Sequence, residues 1–247
     1  MKTLCIAIGL MLCIFGAACA TTKPLLSTVA DLDGNGKKEK IWITTVKEDK
    51  NHGEHFILHI DKASVIIHAE KLLRFVIIDI DRSDKYKEID VQTNSGGDGT
   101  DHRIYWYDGK NINEIDKLYL KVDYKGNGIV LNSTWTGNVM ITEKYVLDKK
   151  TRKLKKIPQE MYYVGSPHKV LISFPVFYSR HSNEVVANVE RNSNILVLAY
   201  APNPVDPKTG DSDIMYDWFL VKTQSGLLGW VQLQTLAQYV EGMQGAG

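Results

Sequence analysis

The first feature of the sequence is an absence, because no cysteine lies beyond residue 19 of the 247-residue chain. The three cysteines are Cys5, Cys13 and Cys19. The rest of the chain therefore cannot form a disulfide bond, a zinc–thiolate site or a cysteine nucleophile. It must be stabilised by its hydrophobic core or by bound metal ions, and about 225 residues suffice for one large or two medium domains.

An excess of either charge is also missing. Lys2 is the only charged residue before Thr21, and the rest of the chain carries 29 basic and 29 acidic residues. This balance gives no global attraction to nucleic acid, so no nucleic-acid partner is expected. The sequence also lacks a G-x-S-x-G elbow, a Walker loop and a G-x-G-x-x-G fingerprint. We therefore expect a protein that is not an enzyme.

The long apolar run of the sequence is confined to its start, "MKTLCIAIGLMLCIFGAACATTKP". A charged residue, an apolar stretch and small residues in this order are typical of a secretory signal, here residues 1–20. Cleavage after the A-x-A site that ends at Ala20 would release a soluble protein. Alternatively, "GAAC" resembles a bacterial lipobox in which Cys19 is acylated, which we favour. Both alternatives predict export to the periplasm or cell envelope, and the second adds a membrane anchor.

Most of the remaining segments alternate apolar and polar residues or form short β-branched and aromatic runs. Examples are "HFILHI", "RIYWY" and "NILVLAY", and the separating turn signals include "DGNG", "YDGKN" and "YKGNG". This pattern predicts an all-β protein. Asp108-Gly109 is a two-residue hairpin signal. Weak helical patterns occur only in "HAEKLLRF" and "LQTLAQYVEGM".

An internal repeat accompanies the strand pattern. "VADLDGNGKKEKIWI" recurs as "VIIDIDRSDKYKEIDV" and more faintly as "LKVDYKGNGIVLN". The leading aspartates are Asp31, Asp79 and Asp123, spaced 48 and 44 residues apart. Periods in this range predict blade-like β units, which we place in residues 21–165.

The repeat does not recur after "GSPHK", near residue 166. We predict a second domain at residues 166–240, followed by a flexible tail at 241–247.

The first repeat loop has the spacing of a cation site with oxygen ligands. It is not an EF-hand, because position 12 is Trp42 rather than glutamate and a strand follows it. It resembles the D-x-D-G-N-G-x-x-D/E loop of FG-GAP and VCBS-type repeats. That resemblance implies calcium bound by four side chains and one backbone carbonyl, which here are Asp31, Asp33, Asn35 and Glu39 with the Lys37 carbonyl.

The second loop keeps part of this set. If it is one residue longer than the first, its metal ligands are Asp79, Asp81, Asp84 and Glu88. The third loop retains only Asp123 and Asn127, too few ligands for calcium. The alternative for all three loops is a set of Asx-turns that join strands without a metal.

The C-terminal block contains "VFYSRHSNEVVANV", "RNSNILVLAY" and "DWFLVKTQSGLLGWV". These segments resemble a bacterial SH3-like (SH3b) domain, and "GWV" matches its closing strand. The sequence departs from that family in "RHS" and in a Pro-rich insertion at 201–213. The resemblance implies a small β-barrel that binds a peptide, a protein or a peptidoglycan component. Tyr178, Tyr216 and Trp218 are the candidate ligand-binding residues.

A basic segment, "DKKTRKLKK", occupies residues 148–156. Its two interpretations are a solvated hairpin tip and a contact with anionic lipid headgroups or wall polymers.

Together these features predict an exported, non-enzymatic binding or scaffold protein of the bacterial cell envelope. Blade-type β repeats stabilised by bound calcium would precede an SH3-like barrel. One alternative is an envelope hydrolase that uses carboxylates such as Asp98, Asp101 and Glu114. Another is a purely structural lipoprotein without metal.

Overall fold

The computed structural model describes residues 27–47, 54–94, 99–203 and 214–243, and within these ranges the protein is all-β. The predicted fold class is confirmed at this level. The predicted signal peptide and Cys19 lie outside the described residues. In the described ranges, no helix has the length and apolar composition needed to cross a membrane.

The strands of the first two thirds of the chain form three four-stranded antiparallel sheets, each in chain order. The first contains β1 (Ser27–Ala30), β2 (Glu39–Lys47), β3 (Glu54–Ile60) and β4 (Ala63–His68). The second contains β5 (Lys71–Ile78), β6 (Glu88–Asn94), β7 (Asp101–Tyr107) and β8 (Ile112–Tyr119). The third contains β9 (Lys121–Tyr124), β10 (Ile129–Trp135), β11 (Met140–Asp148) and β12 (Lys153–Ile157).

Each repeated loop joins the first two strands of one sheet. Loop 1 (residues 31–38) connects β1 to β2, loop 2 (79–87) connects β5 to β6, and loop 3 (125–128) connects β9 to β10. The repeat in the sequence therefore marks a four-stranded unit. The assignment of these units to FG-GAP or VCBS blades stays a prediction.

The three loops form a hydrogen-bonded column. The carbonyl of Leu32 in loop 1 accepts the N–H of Lys87 in loop 2, at 3.0 Å. The carbonyl of Ile80 in loop 2 accepts the N–H of Gly128 in loop 3, at 2.7 Å. Leu32 and Ile80 occupy the same place in their loops, and both are fully buried. The same type of backbone hydrogen bond therefore joins loop 1 to loop 2 and loop 2 to loop 3.

The second sheet lies between the other two. Its Ile89, Val91 and Tyr105 pack into a core shared with the first sheet. Its Ile104 and Ile115 pack into a separate core shared with the third sheet. Because strand residues alternate between faces, neighbours on β7 such as Ile104 and Tyr105 serve different cores.

A fourth, six-stranded antiparallel sheet and two short helices complete the described chain. The elements are β13 (Tyr162–Lys169), β14 (Phe174–Phe177), β15 (Val185–Val189), β16 (Asn194–Ala201), a 3-10 helix (Ile214–Tyr216), β17 (Trp218–Lys222), β18 (Leu228–Gln232) and α1 (Leu233–Tyr239). The spatial order of the strands is β13, β16, β17, β18, β14, β15. The sheet stays open, so the coarser all-β prediction holds, and closure into an SH3-like barrel is not confirmed.

Of the two weak helical patterns, "LQTLAQYVEGM" does contain a helix, α1. The other prediction is wrong, because "HAEKLLRF" is split between β4, a turn and β5. The Asp108-Gly109 signal does lie in a hairpin. Asp108 pairs with Asn111 across the turn, so Gly109 (φ +93°) is the first central residue rather than the second.

Two predicted boundaries differ from the sheet limits. Residues 165 and 166 both lie inside β13, and the interval between the third and fourth sheets is residues 158–161. The predicted tail also begins too early. The N–H of Glu241 donates to the carbonyl of Lys169, and Met243 is fully buried. Apolar packing therefore continues at least three residues past 240.

We predict that Gly34→Ala destabilises the protein more than Gly36→Ala does. Both glycines have positive φ, +67° and +85°. Alanine at either place should cost about 1 to 2 kcal/mol from backbone strain. A β-carbon at Gly34 would also lie 2.5 Å from the Lys85 carbonyl oxygen of loop 2, whereas one at Gly36 meets nothing within 4 Å. Urea unfolding measures both, and equal losses would contradict a close contact between loops 1 and 2.

Candidate metal centre and interaction surface

Loop 1 brings three predicted ligands together. Oxygen atoms of Asp31, Asp33 and Glu39 all lie within 4.8 Å of one another. Asp33 and Glu39 are buried, with 7% and 4% of their surface exposed. None of the three carboxylates has an ion-pair partner in the part of the chain that the structure describes. Three carboxylates this close repel each other unless a cation or a proton is bound.

Hydrogen bonds within loop 1 orient these groups. The N–H of Asn35 donates to Asp31 Oδ1 at 3.2 Å and to Asp33 Oδ1 at 3.0 Å. The N–H of Gly36 donates to Asp31 Oδ2 at 2.9 Å. The N–H of Lys37 donates to Asn35 Oδ1 at 2.8 Å. These are Asx-turn contacts, so the turn exists whether or not a metal joins it.

The surroundings of loop 1 add negative charge. The β7–β8 turn approaches so closely that a β-carbon at Gly109 would lie 2.8 Å from Asp33 Oδ2. Burial raises the pKa of the neighbouring Tyr107, and the charges of Asp61, Glu39, Asp33 and Asp108 raise it further. The negative potential around loop 1 therefore extends beyond its own three carboxylates.

Loop 2 repeats the geometry with one extra residue. The N–H of Ile80 donates to Glu88 Oε2 at 3.0 Å, as the N–H of Leu32 donates to Glu39 Oε2 at 2.7 Å. Glu88 therefore occupies the place of Glu39. The carboxylates of loop 2, however, already have cationic partners from the β11–β12 turn. The pairs are Asp81 with Lys149 at 2.7 Å, Asp84 with Arg152 at 2.5 Å, and Glu88 with Arg152.

Arg152 corrects one interpretation of the basic segment at 148–156. That segment does form a hairpin turn, but Arg152 is only 6% exposed and points into the protein. Its guanidinium lies 4.8 Å from the Tyr86 ring and 5.5 Å from the Trp106 ring. Cation–π contacts on two rings add to the two ion pairs. Arg152 is therefore an internal anchor between the second and third sheets.

The pKa values of loop 2 reflect these contacts. Hydrogen bonds from Lys149 and Ser83 lower the pKa of Asp81 to about 2. Because this pKa is lowered, the pair stabilises the fold above the ordinary value of 3.8 and is lost as the pH falls toward 2. Burial raises the pKa of Glu88 to about 7, against the opposing effects of the Ile80 N–H and Arg152. Asp79 Oδ1 is buried and has no hydrogen-bond partner among the described residues.

Loop 3 assembles no comparable cluster within the described ranges. Asp123 lies on β9, where Lys125 Nζ approaches its carboxylate at 2.5 Å. The Asn127 side chain accepts the N–H of Ile129 at 3.3 Å. The absence of calcium from the third loop stays a prediction.

The predicted ligand-binding aromatics of the fourth sheet do not converge. Tyr178 and Tyr216 are 69% and 48% exposed. Tyr216 lies two residues before Trp218, which pairs with Gln232 on β18. Phe177 at the end of β14 pairs with Trp230 on β18, and Tyr178 is the next residue. Because the two strands are antiparallel, Tyr178 lies one residue further from Gln232 than Phe177 does. Tyr178 and Trp218 are thus two strands and about three residues apart, roughly 10 Å in each direction. Tyr216 and Trp218 remain as one patch.

The carboxylates of the hydrolase alternative are also separated. Asp101 and Tyr105 lie four residues apart on β7, and Glu114 pairs with Tyr105. This places Asp101 and Glu114 about 13 Å apart along the sheet, at roughly 3.3 Å per residue. Asp101 forms an ion pair with Lys117 at 3.0 Å. Asp98 lies outside the described residues.

We predict that Arg152→Ala costs about 3 to 5 kcal/mol of stability, because it leaves the buried Glu88 carboxylate uncompensated. Lys149→Ala is the matched control from the same turn. It should cost less, about 1 kcal/mol, because the lysine is largely exposed and Asp81 keeps the hydrogen bonds that Ser83 donates to it. The two side chains are 7% and 63% exposed. Urea unfolding at pH 9, above the Glu88 pKa of about 7, measures both losses, and similar values would contradict the anchoring role of Arg152.

Sequence reasoning missed the cations of loop 2, because Arg152 and Glu88 are 64 residues apart in the chain. It also missed the buried contact between His102 Nδ1 and Asp90 Oδ2, at 2.7 Å. Comparisons with protein-family models, with curated proteins and with solved structures returned no match. The FG-GAP, VCBS and SH3b resemblances therefore rest on the quoted motifs alone.

Proposed function

We propose that the protein is an exported, non-enzymatic scaffold of the bacterial cell envelope, with a calcium ion at loop 1 and a peptide, protein or peptidoglycan component bound by its C-terminal sheet. The observation that carries the calcium proposal is the contrast between loops 1 and 2. Both bury a glutamate in the same place. Loop 2 neutralises its carboxylates with Lys149 and Arg152, whereas loop 1 has no such partner among the described residues.

Calcium suits loop 1 because it binds six to eight oxygen atoms in flexible geometry. The side chains of Asp31, Asp33, Asn35 and Glu39 and the Lys37 carbonyl supply part of that set, and water supplies the rest. The lysines at 37, 38 and 40 lower the local affinity for a cation. We expect a dissociation constant on the order of 0.1 to 1 mM, in the range of extracellular calcium modules.

Loop 2 is the weaker of the two predicted calcium sites. An ion bound by Asp79, Asp81, Asp84 and Glu88 would have to displace Lys149 and Arg152. We therefore propose that the ion pairs perform in loop 2 the neutralising role that calcium performs in loop 1.

The binding role of the C-terminal sheet is supported by an exposed apolar patch. Ile214, Met215 and Tyr216 form the 3-10 helix beside Trp218 and are 46%, 39% and 48% exposed. Exposed aromatic and apolar side chains are enriched at recognition surfaces. If Cys19 carries a lipid, this patch would act at the membrane surface of the envelope.

We predict that calcium raises the melting temperature of the purified protein relative to EDTA. At about ten times the dissociation constant, binding to the folded state adds about 1.4 kcal/mol. For a chain of this size that corresponds to roughly 3 to 6 °C. Asp33→Asn should abolish the increase, and Asp81→Asn in loop 2 is the matched control that should keep it. An unchanged wild type, or an equal increase in Asp33→Asn, would contradict calcium at loop 1.

We also predict that the protein sediments with purified peptidoglycan and that Tyr216→Ala reduces the bound fraction at least about threefold, because a central aromatic contact is lost. Tyr163→Ala is the control. Tyr163 is 77% exposed on β13, away from the patch. A bound fraction that neither substitution changes would exclude the patch, and absence of sedimentation would exclude the wall component as its ligand.

A further inference from the structure

One end of the β-repeat region is formed by loops and turns that contact one another. Strand direction alternates in an antiparallel sheet, so the loop after the first strand and the turn after the third strand of each sheet lie at the same end. These segments are loops 1 to 3 and the turns at 61–62, 108–111 and 149–152. The backbone hydrogen bonds from loop 1 to loop 2 and from loop 2 to loop 3 join them into one surface, which we call the loop end.

The charges of the loop end are sorted by burial. Its loops and turns contain eleven lysine and arginine residues, and ten of them are exposed, Arg152 being the exception. The same segments contain seven aspartates, of which only Asp61 and Asp108 are exposed. Two further exposed aspartates, Asp123 and Asp148, end the adjoining strands β9 and β11 or lie close to those ends. The side chains that face solvent at this end are therefore mainly cationic, although the charge of the whole chain is balanced.

Only two of the ten exposed cations have a carboxylate partner among the described residues. Lys125 pairs with Asp123, and Lys149 pairs with Asp81. The other eight can contact an anion without first giving up an ion pair.

These eight cations are distributed over all three sheets. Examples are Lys37 in loop 1, Lys85 in loop 2 and Lys150 in the β11–β12 turn. Stacked sheets lie about 10 Å apart, so the cations form a row roughly 20 Å long. A chain of regularly spaced anionic groups can contact the whole row, whereas a small anion meets one or two cations at a time.

A groove of about 460 Å³ lies within the loop end, between loop 2, loop 3 and the end of β11. Arg82 and Lys149 both line it. A β-carbon at Gly126 would lie 2.8 Å from Arg82 Cζ, so the guanidinium lies directly against the backbone of loop 3. Within the described ranges this guanidinium has no hydrogen-bond or ion-pair partner. The groove therefore holds a positioned arginine whose N–H groups can donate to two oxygens of one anionic group.

The loop end lacks the side chains that bind bilayers and nucleic-acid bases. Of the large apolar side chains that are exposed in the described ranges, none belongs to its loops and turns. A protein that binds a bilayer surface inserts such side chains, and one that binds single-stranded nucleic acid stacks bases on exposed aromatic rings. The aromatic residue of these segments is Tyr86, whose ring already has Lys85 Nζ and the Arg152 guanidinium at 4.8 Å. The surface therefore fits a hydrophilic chain of charges.

We propose that the loop end binds a linear polyol-phosphate chain, an anionic polymer of the envelope. Arg82 holds one phosphodiester in the groove, and lysines of the neighbouring loops and turns contact the phosphates on either side. The choice of an envelope polymer rests on the proposed location of the protein, whereas the charge pattern does not. The surface is distinct from the calcium ligands of loop 1 and from the C-terminal patch.

The test is a titration of a fluorescent glycerol-phosphate oligomer, long enough to span all three loops, with the full chain in EDTA. Fluorescence anisotropy reports binding. Raising the NaCl concentration from about 50 to about 200 mM should weaken binding about tenfold or more, because each phosphate contact releases a counterion.

Two double variants with the same change of charge locate the contacts. Arg82→Gln with Lys150→Gln should weaken binding about tenfold or more, and should lower the slope of log affinity against log salt by about 1 for each lost contact. Lys71→Gln with Lys121→Gln is the control and should bind like the wild type. These two lysines are exposed at the starts of β5 and β9, at the opposite end of their sheets.

Three results would overturn the proposal. One is the absence of an anisotropy change for the wild type at the lowest salt concentration. Another is an equal loss of affinity in the two double variants, which would assign binding to net charge rather than to the loop end. The third is tighter binding of phosphatidylglycerol vesicles or of single-stranded DNA at the same phosphate concentration. Because the titration requires neither calcium nor Tyr216, its failure would leave both parts of the proposed function standing.

Discussion

The β-repeat region depends on one constraint: the N–H and the C=O of a buried peptide group both need a hydrogen-bond partner. Leu32 and Ile80 are fully buried at the start of their loops. Their carbonyls are bonded by the next loop, which joins one sheet to the following one. Their N–H groups are bonded by Glu39 and Glu88. The column of loops therefore places a glutamate inside the protein at each joint.

A buried carboxylate must be compensated, and the two joints differ in how this is done. At the second joint Arg152 lies against two aromatic rings and bonds two carboxylates. Its backbone has φ +54°, a conformation uncommon for a residue with a side chain. At the first joint the neighbouring turn presents Gly109 and more acidic groups instead of a cationic side chain, which is the reason that calcium is proposed there. Under the calcium proposal, the stability of the first joint depends on the calcium concentration of the medium, whereas the ion pairs of the second joint do not require calcium.

The two faces of the second sheet serve different purposes. Toward the first sheet it presents Ile89 and Val91, which pack into an apolar core. Toward the third sheet the alternate β6 residues Glu88, Asp90 and Gln92 are polar and buried. A wholly apolar interface would be simpler to stabilise, since buried polar networks must be fully satisfied.

The sequence by itself determined the local structure. Period-two alternation indicated the strands, and the D-x-D-G-N-G pattern indicated the loops that begin each unit, because both follow from the geometry of neighbouring residues. Only the tertiary structure decided that Arg152 is an anchor, that His102 meets Asp90 and that Tyr178 lies apart from Trp218. Arg152 and Glu88 are 64 residues apart in the chain. Their contact depends on the order of strands and the packing of sheets, which local patterns do not encode.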